Sequence, residues 1–342
     1  MKVAISIGGA QNRNVKELLD FILFAEKLGV DSAWSAEGWG TDGLTSLAYI
    51  APLTKTIKLG TGILQISARA AAMTAMSALS LNQLTDGRFI LGLGASGPQV
   101  VEGLHSIPYR APLSRLREHL EICRLAFAGE KLNYQGKFNQ LPLADSEGKT
   151  LRLDHEPADI PIYLATISPK ALEYTGAAAD GWLGTTFSPE RADAHLKYLR
   201  AGLDKAGRSL SDIDLQVGCP AEICNDMDAL VTRRKKGIAF SMGAMGSETT
   251  NFYNQAYQRA GFEDDAKAIQ SLWKAGKRDA AVERVPAAMI TEFGAFGDAN
   301  MVRDRFLTYQ SVGINTLQLR LEFGANNEHF AQLEALMPLV PQ

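Results

Sequence analysis

The chain has 342 residues, of which 46% are hydrophobic, and its formal net charge at pH 7 is −3. This length suits a single α/β barrel, a fold that takes about 200 to more than 400 residues. The near-neutral charge argues against a nucleic-acid-binding protein, whose surface is usually basic. No apolar run approaches the roughly 18 residues of a membrane span. We therefore expect neither a nucleic-acid partner nor a membrane partner.

The cysteines indicate a reducing compartment. Cys123, Cys219 and Cys224 are an odd number, and neither a CxxC pair nor a Cys/His ligand spacing occurs. The sequence therefore predicts no disulfide framework and no metal site. The chain runs from Met1 straight into the strand-like "KVAISIGG", without the charged and apolar segments of a signal peptide. We predict a cytoplasmic protein.

Apolar runs of strand length alternate with helix-period segments along the chain. The first strand, "VAISIGG", precedes the amphipathic segment "NVKELLDFILFAEKLG", in which Gly29 is a helix stop. The later strands are predicted at "SAWSAE", "IKLGTGILQI", "RFILGLGAS", "PIYLATIS", "GWLGTTFS", "IDLQVGCPAEI" and "INTLQLRL". Eight strands that alternate with helices predict a parallel sheet, and eight units suit closure into a TIM (β/α)8 barrel. An open doubly wound sheet is the alternative.

The region between the last two strands is too long for one crossover helix. It spans residues 225–313, and we predict a helical insertion there, within a single domain of residues 1–342. Its basic run "RRKK", from Arg233 to Lys236, is predicted to be a solvated helix face. The methionines of "SMGAMG" suit either an apolar lid or a core.

In a barrel of this kind the chemistry lies where strands end and helices begin. Small and hydroxyl residues dominate these ends, which leaves backbone N–H groups open for an anionic ligand. Turn chemistry is the alternative, because Gly, Ser and Thr begin helices in any case. "GLGASG" lacks the acidic partner that a dinucleotide fingerprint needs at the end of a second strand. The strand ends hold Glu37, Gly38, Ile63, Gln65, Gly94, Ser96, Gly97, Thr166, Ile167, Ser168, Thr185 and Thr186.

The third strand, "IKLGTGILQI", contains two glycines, Gly60 and Gly62. Glycine weakens a strand and marks a bulge, a bend or a close approach to the backbone. The pair therefore predicts a bulge, a bend or a close approach to the backbone at this point.

Five stretches together resemble the bacterial luciferase-like superfamily, and within it the branch of oxidoreductases that depend on coenzyme F420, an 8-hydroxy-5-deazaflavin. They are "DSAWSAE", "IKLGTGILQISAR", "LTDGRFILGLGASGPQVVEGLHSIPY", "PIYLATISPKALEYTGAAADGWL" and "GINTLQLRL". The resemblance covers Val3 to about Ser188 and the last strand. It implies a barrel, a homodimer, and hydride transfer between the deazaflavin and a small organic substrate.

The resemblance also implies a cofactor site. A bulge with a non-prolyl cis peptide would fall at Gly62–Ile63, against the cofactor ring. Arg69 matches a basic position that faces the anionic tail, with a surface arginine as the alternative. The loop Ala165–Ser168, which contains Thr166 and Ile167, matches the phosphate loop, and the loop Gly94–Ser96, with Ala95 between its ends, lies opposite.

Glu37 matches the acidic residue at the end of the family's second strand. There it would polarise the ring or relay a proton, and a structural ion pair is the alternative. Gln65, His105 and Tyr109 are further candidates for proton transfer or hydrogen bonding, although His105 also suits a loop cap. Trp39 stands between two glycines and is predicted, with Tyr109, to line the substrate space.

Two departures from the family bear on the substrate. The glucose 6-phosphate enzymes have a histidine and an acidic residue where this chain has Gly38 and Gly97, and their phosphate-binding lysines are missing after the sixth strand. We therefore predict reduction of a C=C, C=O or C=N bond rather than oxidation of a sugar phosphate. An FMN-dependent monooxygenase and a non-catalytic ligand-binding relative are the alternatives.

Overall fold

The computed structural model describes residues 1–7, 15–245, 251–322 and 328–341. Its strands are β1 (Lys2–Ser6), β2 (Ser32–Ser35), β3 (Lys58–Thr61), β4 (Leu64–Gln65), β5 (Phe89–Gly94), β6 (Tyr134–Gln135), β7 (Gln140–Leu141), β8 (Ile162–Leu164), β9 (Gly181–Gly184), β10 (Asp214–Ile223), β11 (Ala295–Gly297) and β12 (Thr316–Arg320). Its α-helices are α1 (Val15–Lys27), α2 (Thr45–Ile50), α3 (Ala71–Leu84), α4 (Pro98–Val101), α5 (Pro112–Phe127), α6 (Pro169–Ala178), α7 (Leu196–Lys205), α8 (Met227–Gly243), α9 (Phe252–Tyr257), α10 (Glu263–Lys274), α11 (Arg278–Glu283), α12 (Ala288–Thr291), α13 (Ala299–Ser311) and α14 (Glu328–Leu336).

The chain divides into two compact units. The first unit, Ser6–Ala165, contains four of the predicted strands, which pair in parallel in the order β2, β3, β5 and β8. The short β4 continues the line of β3 and pairs with the end of β5. All six residues of β5 are buried, as expected for a strand that is covered on both faces.

The second unit combines Met1–Ile5 with Thr166–Gln342. It contains the other four predicted strands, again parallel, in the order β9, β10, β12 and β1. The register places Thr316 of β12 between Gln216 of β10 and Lys2 of β1. The eight predicted strands and their parallel pairing within each unit are therefore confirmed, whereas a single domain over residues 1–342 stays a prediction.

Glycine at the end of α1 stops the helix as predicted. Gly29 has a φ of +83°, in the left-handed region that favours glycine, and its N–H bonds to the carbonyl of Glu26. This is a common way for a helix to end, because a residue without a Cβ adopts that conformation at little cost.

The region 225–313 is helical over most of its described residues, from α8 to α13, and also contains the unpredicted β11. It has a core of its own, in which the rings of Tyr257 and Phe293 are 4.8 Å apart and Met242 is fully buried. Met242 is therefore a core residue and not part of an apolar lid. That this region is an insertion into the barrel stays a prediction.

The basic run on α8 differs from its prediction. Arg233 and Arg234 both form ion pairs with Glu222 and Glu322, at N–O distances from 2.6 to 3.2 Å. The Arg234 side chain is only 15% exposed. The prediction of a solvated face is therefore wrong for Arg234, because its guanidinium is half-buried and paired with two carboxylates of the second unit.

The three cysteines are free thiols, and burial raises the pKa of Cys123 and of Cys219 to about 12. These two thiols therefore stay protonated at neutral pH.

Among the residues that the structure describes, no helix is long and apolar enough to cross a membrane. Within the same ranges, no three His, Cys, Asp or Glu side chains are grouped to hold a metal ion.

Candidate active site

The two glycines of the third strand have different neighbours. A Cβ on Gly60 would lie 2.6 Å from the indole ring of Trp34, which is buried on the adjacent strand β2 and pairs with Gly60 in register. A Cβ on Gly62 would have its nearest neighbour at 3.5 Å, an ordinary contact. Gly60 therefore makes room for a core tryptophan, and only Gly62 is left for the bulge that the sequence predicts.

The peptide bond between Gly62 and Ile63 is cis, which confirms the sequence prediction. It lies in the break between β3 and β4, where the Gly62 N–H donates to the carbonyl of Ser35 at 2.6 Å. Ile63 extends toward the end of β5, because a Cβ on Gly94 would lie 2.5 Å from its Cδ1 atom. The Ile63 side chain therefore occupies the space that a side chain at position 94 would need.

Glu37 and Arg69 form an ion pair at the ends of β2 and β4. Arg69 Nη1 donates to both carboxylate oxygens of Glu37 at 2.8 Å, and the Arg69 and Glu37 side chains are 18% and 7% exposed, respectively. The Glu37 carboxylate also accepts hydrogen bonds from the backbone N–H groups of Gln65, at 3.1 Å, and Gly43, at 3.2 Å. Both carboxylate oxygens of Glu37 are thus hydrogen-bonded. The structure contains the ion pair that the sequence analysis gave as the alternative to a role of Glu37 in the chemistry.

Gln65 is held by that same cluster. Its side-chain nitrogen donates to the carbonyls of Glu37 and Gly38, both at 3.2 Å. Its side-chain oxygen is buried and has no hydrogen-bond partner among the described residues. A buried acceptor without a donor costs free energy. The side-chain oxygen of Gln65 is therefore an unsatisfied buried acceptor at the end of β4.

The loop after β5 contains Ser96, which has a φ of +58°. The left-handed region is uncommon for residues with a Cβ, and such residues cluster at functional sites. The Tyr109 hydroxyl donates to the carbonyl of Ser96 at 3.1 Å, and burial raises the pKa of Tyr109 to about 12. Tyr109 therefore stays protonated at neutral pH, and its role in proton transfer stays a prediction.

The structure places His105 and Trp39 on loops of the same unit. His105 follows α4, and its Nε2 atom is buried without a hydrogen-bond partner among the described residues. Trp39 follows β2 and is 62% exposed, which is unusual for so large an apolar side chain. No described contact joins either residue to Glu37 or Gln65, and their predicted roles stay predictions.

The predicted phosphate loop divides between the two units. Ala165 ends the first unit, where its N–H donates to the carbonyl of Leu93. In the second unit, Ser168 is the N-cap of α6, and its side chain makes no capping hydrogen bond. The first N–H groups of that ten-residue helix are thus not capped by this side chain. A helix N-terminus of this kind favours an anion.

Arg259 adds a positive charge beside this loop, which the sequence did not predict. Its Nη2 atom donates to the carbonyl of Ile167 at 2.7 Å, and its Nε atom is buried without a partner among the described residues. Thr166 is fixed from the other side, by hydrogen bonds with Thr175 at 2.6 Å and with the Trp182 indole at 2.9 Å. Arg259 lies in the region 225–313, where no motif signals a ligand-binding residue.

Comparison with known proteins places these features in a family. The family model described as luciferase-like monooxygenase matches residues 2–316. The chain is 35% identical over 329 residues to the "Putative coenzyme F420-dependent oxidoreductase" of Mycobacterium tuberculosis. The matched region covers 93% of this chain and 94% of the relative. The chain is 29% identical over 325 residues to the 5,10-methylenetetrahydromethanopterin reductase of Methanolobus tindarius, with 93% and 94% coverage.

A solved structure shows the fold. The coenzyme F420-dependent tetrahydromethanopterin reductase of Methanopyrus kandleri superimposes with a TM-score of 0.80 and 22% identity, over 99% of this chain and 98% of the other. The predicted α/β fold of the TIM (β/α)8 barrel class is therefore confirmed, and the open doubly wound sheet is excluded. Because the family model matches nearly the whole sequence and a relative with more than 30% identity covers almost all of it, the chain belongs to the luciferase-like monooxygenase family.

Proposed function

We infer that this protein is an oxidoreductase that uses coenzyme F420 and transfers a hydride between the deazaflavin and a small organic substrate. The observation that carries this proposal is the 35% identity, over 93% of the chain, to the relative named as F420-dependent. A cytoplasmic location and a homodimer accompany it as predictions.

Each unit, taken by itself, contains residues that fit a part of such a cofactor. The buried Gln65 side-chain oxygen is an acceptor that a ring N–H of a deazaflavin would satisfy. The backbone beside Ile63 carries no side chain at Gly62, where a Cβ would make only ordinary contacts, the nearest at 3.5 Å. The uncapped start of α6 and the guanidinium of Arg259 suit a phosphate.

When bound, coenzyme F420 supplies a two-electron carrier that gives or accepts hydride. The chain's own residues bind and orient it. Glu37 and Arg69 fix the backbone of Gln65, and Tyr109 fixes the carbonyl of Ser96. His105, on the loop after α4, is the proposed source of a proton. Trp39 is the proposed wall of the substrate space.

The reaction is tested by following the absorbance of reduced F420 during incubation with enones, imines, aldehydes and sugar phosphates. We expect F420 to be reoxidised with at least one unsaturated or carbonyl acceptor and not with sugar phosphates. Reduced FMN in place of F420, and a reaction without protein, are the controls. Oxidation of glucose 6-phosphate by F420, with no turnover of any unsaturated acceptor, would contradict the proposed direction and substrate class.

A further inference from the structure

The last barrel strand ends in an arginine that has no role in the candidate active site. Arg320 is the final residue of β12, at the carboxyl end of the strand, where (β/α)8 barrels place their chemistry. Side chains of a strand alternate between its two faces. Leu317 and Leu319 on one face are buried, whereas Gln318 is half-buried and Arg320 is exposed on the other. β12 therefore has one polar face, and Arg320 ends it.

The neighbouring strand leaves room for this side chain. A Cβ on Gly218 of β10 would lie 2.5 Å from Nε of Arg320 and 2.6 Å from its Cζ and Nη2 atoms. The guanidinium therefore lies against the bare backbone of Gly218. Any larger residue at position 218 would displace the guanidinium, so the position of Arg320 depends on the glycine.

The charge of Arg320 has no counter-charge in the described part of the chain. No hydrogen bond or ion pair of Arg320 exists among those residues, and the two nearby carboxylates, Glu222 and Glu322, are each bound by Arg233 and Arg234. The positively charged side chain is thus left without an acceptor, although its fork of N–H donors suits one well.

Arg320 is surrounded by protein and still reaches solvent. The burial of its guanidinium lowers the pKa of Arg320, although more than a third of the residue is exposed. These two observations agree if the side chain lines a cleft, with protein atoms around it and water in front of it. Tyr253 and Tyr257 lie close enough to interact electrostatically with it. An uncompensated cation in such a place is costly unless a ligand supplies the opposite charge.

We propose that Arg320 binds the carboxylate of an anionic substrate, so that this enzyme acts on unsaturated or carbonyl compounds that carry a carboxylate group. The proposal rests on the oxidoreductase function inferred above and adds a substrate class to it. A carboxylate is favoured over a phosphate because the one positive charge of Arg320 balances the single charge of a carboxylate but not the roughly two charges of a phosphate monoester. The nearby Arg233 and Arg234 are already paired with Glu222 and Glu322.

The test compares pairs of ligands that differ only in charge. Binding of cinnamate, crotonate and levulinate, each against its primary amide, is measured by calorimetry on the F420-loaded protein. The variants are Arg320→Gln, Arg320→Lys and, as a matched control, Arg303→Gln on the exposed surface of α13. Melting temperature and F420 affinity are measured for each variant, so that folding and cofactor binding are followed separately.

We expect at least one carboxylate to bind wild-type protein about tenfold more tightly than its amide, since a hydrogen bond to a charged group is worth that much or more. Arg320→Gln should remove this preference, Arg320→Lys should keep part of it, and the control should keep all of it. Equal binding of acid and amide throughout the panel would overturn the proposal. So would a weaker affinity of Arg320→Gln for F420, which would assign the arginine to the cofactor. Failure of wild-type protein to bind F420 would instead reject the proposed function.

Discussion

Replacing Glu37 with glutamine is expected to lower both stability and turnover. The carboxylate holds Arg69 and two backbone N–H groups, and its side chain is only 7% exposed. Removing one member of a buried ion pair leaves the other charge uncompensated, which costs about 3 kcal/mol. Because Glu37 fixes Gln65, turnover should fall by about 100-fold, the cost of misplacing a positioned group by about 1 Å.

A double-mutant cycle separates the ion pair from the rest of the effect. Glu37→Gln, Arg69→Gln and the double variant are compared by urea denaturation and by steady-state kinetics. The double variant should be less destabilised than the sum of the two single variants, since it leaves no unpaired charge. An unchanged free energy of unfolding in Glu37→Gln would contradict the structural role of the ion pair. Unchanged turnover per folded molecule would show that Glu37 has no part in the reaction.

Replacing Gly202 with alanine is expected to destabilise the protein strongly, although it adds only one methyl group. Gly202 lies on α7, where a Cβ would be 1.8 Å from the carbonyl oxygen of Glu173 on α6. In the opposite direction, a Cβ on Gly176 of α6 would be 2.1 Å from the carbonyl oxygen of Leu199. The two helix backbones are in direct contact, so the added methyl group must separate them, at a cost of about 3 kcal/mol.

Gly237 on α8 provides the matched control. It is exposed, and a Cβ there would meet no atom within 4 Å. Alanine should therefore stabilise the protein at this position by about 0.5–1 kcal/mol, because glycine is unfavourable inside a helix. Urea denaturation of both variants gives the comparison. Since α6 carries Ser168 at its start, Gly202→Ala should also weaken F420 binding. Equal stabilities of the two variants would contradict the close packing of α6 and α7.

The sequence was sufficient for the barrel because each strand is a short buried run that Gly, Pro or a polar turn separates from the next helix. The bulge at Gly62–Ile63 was also predictable, because its motif is local and resembles one family. The reason for Gly60, which is the space that Trp34 needs, could not be predicted from the local sequence. Trp34 lies 26 residues earlier, and only strand pairing brings the two residues together.

The parts of the site that depend on distant contacts were not predictable. Glu37 and Arg69 are 32 positions apart, and their ion pair requires the pairing of β2 with β3, the strand whose line β4 continues. Arg259 comes from a region without a readable motif. Arg320 did carry a signal, since "TLQLR" alternates apolar and polar residues where a strand covered on both faces would be continuously apolar. That alternation shows a polar face, but not the absence of a counter-charge.

The most direct test of the central claim, that this family member uses coenzyme F420, is a fluorescence titration of the purified protein with F420 and, separately, with FMN. We expect tight binding of F420 and weak binding of FMN. A variant in which Gln65 is replaced by leucine should lose affinity for F420, because the buried acceptor is removed. Tighter binding of FMN than of F420, with oxygen uptake when the bound FMN is reduced, would contradict this claim and identify the protein as an FMN-dependent monooxygenase.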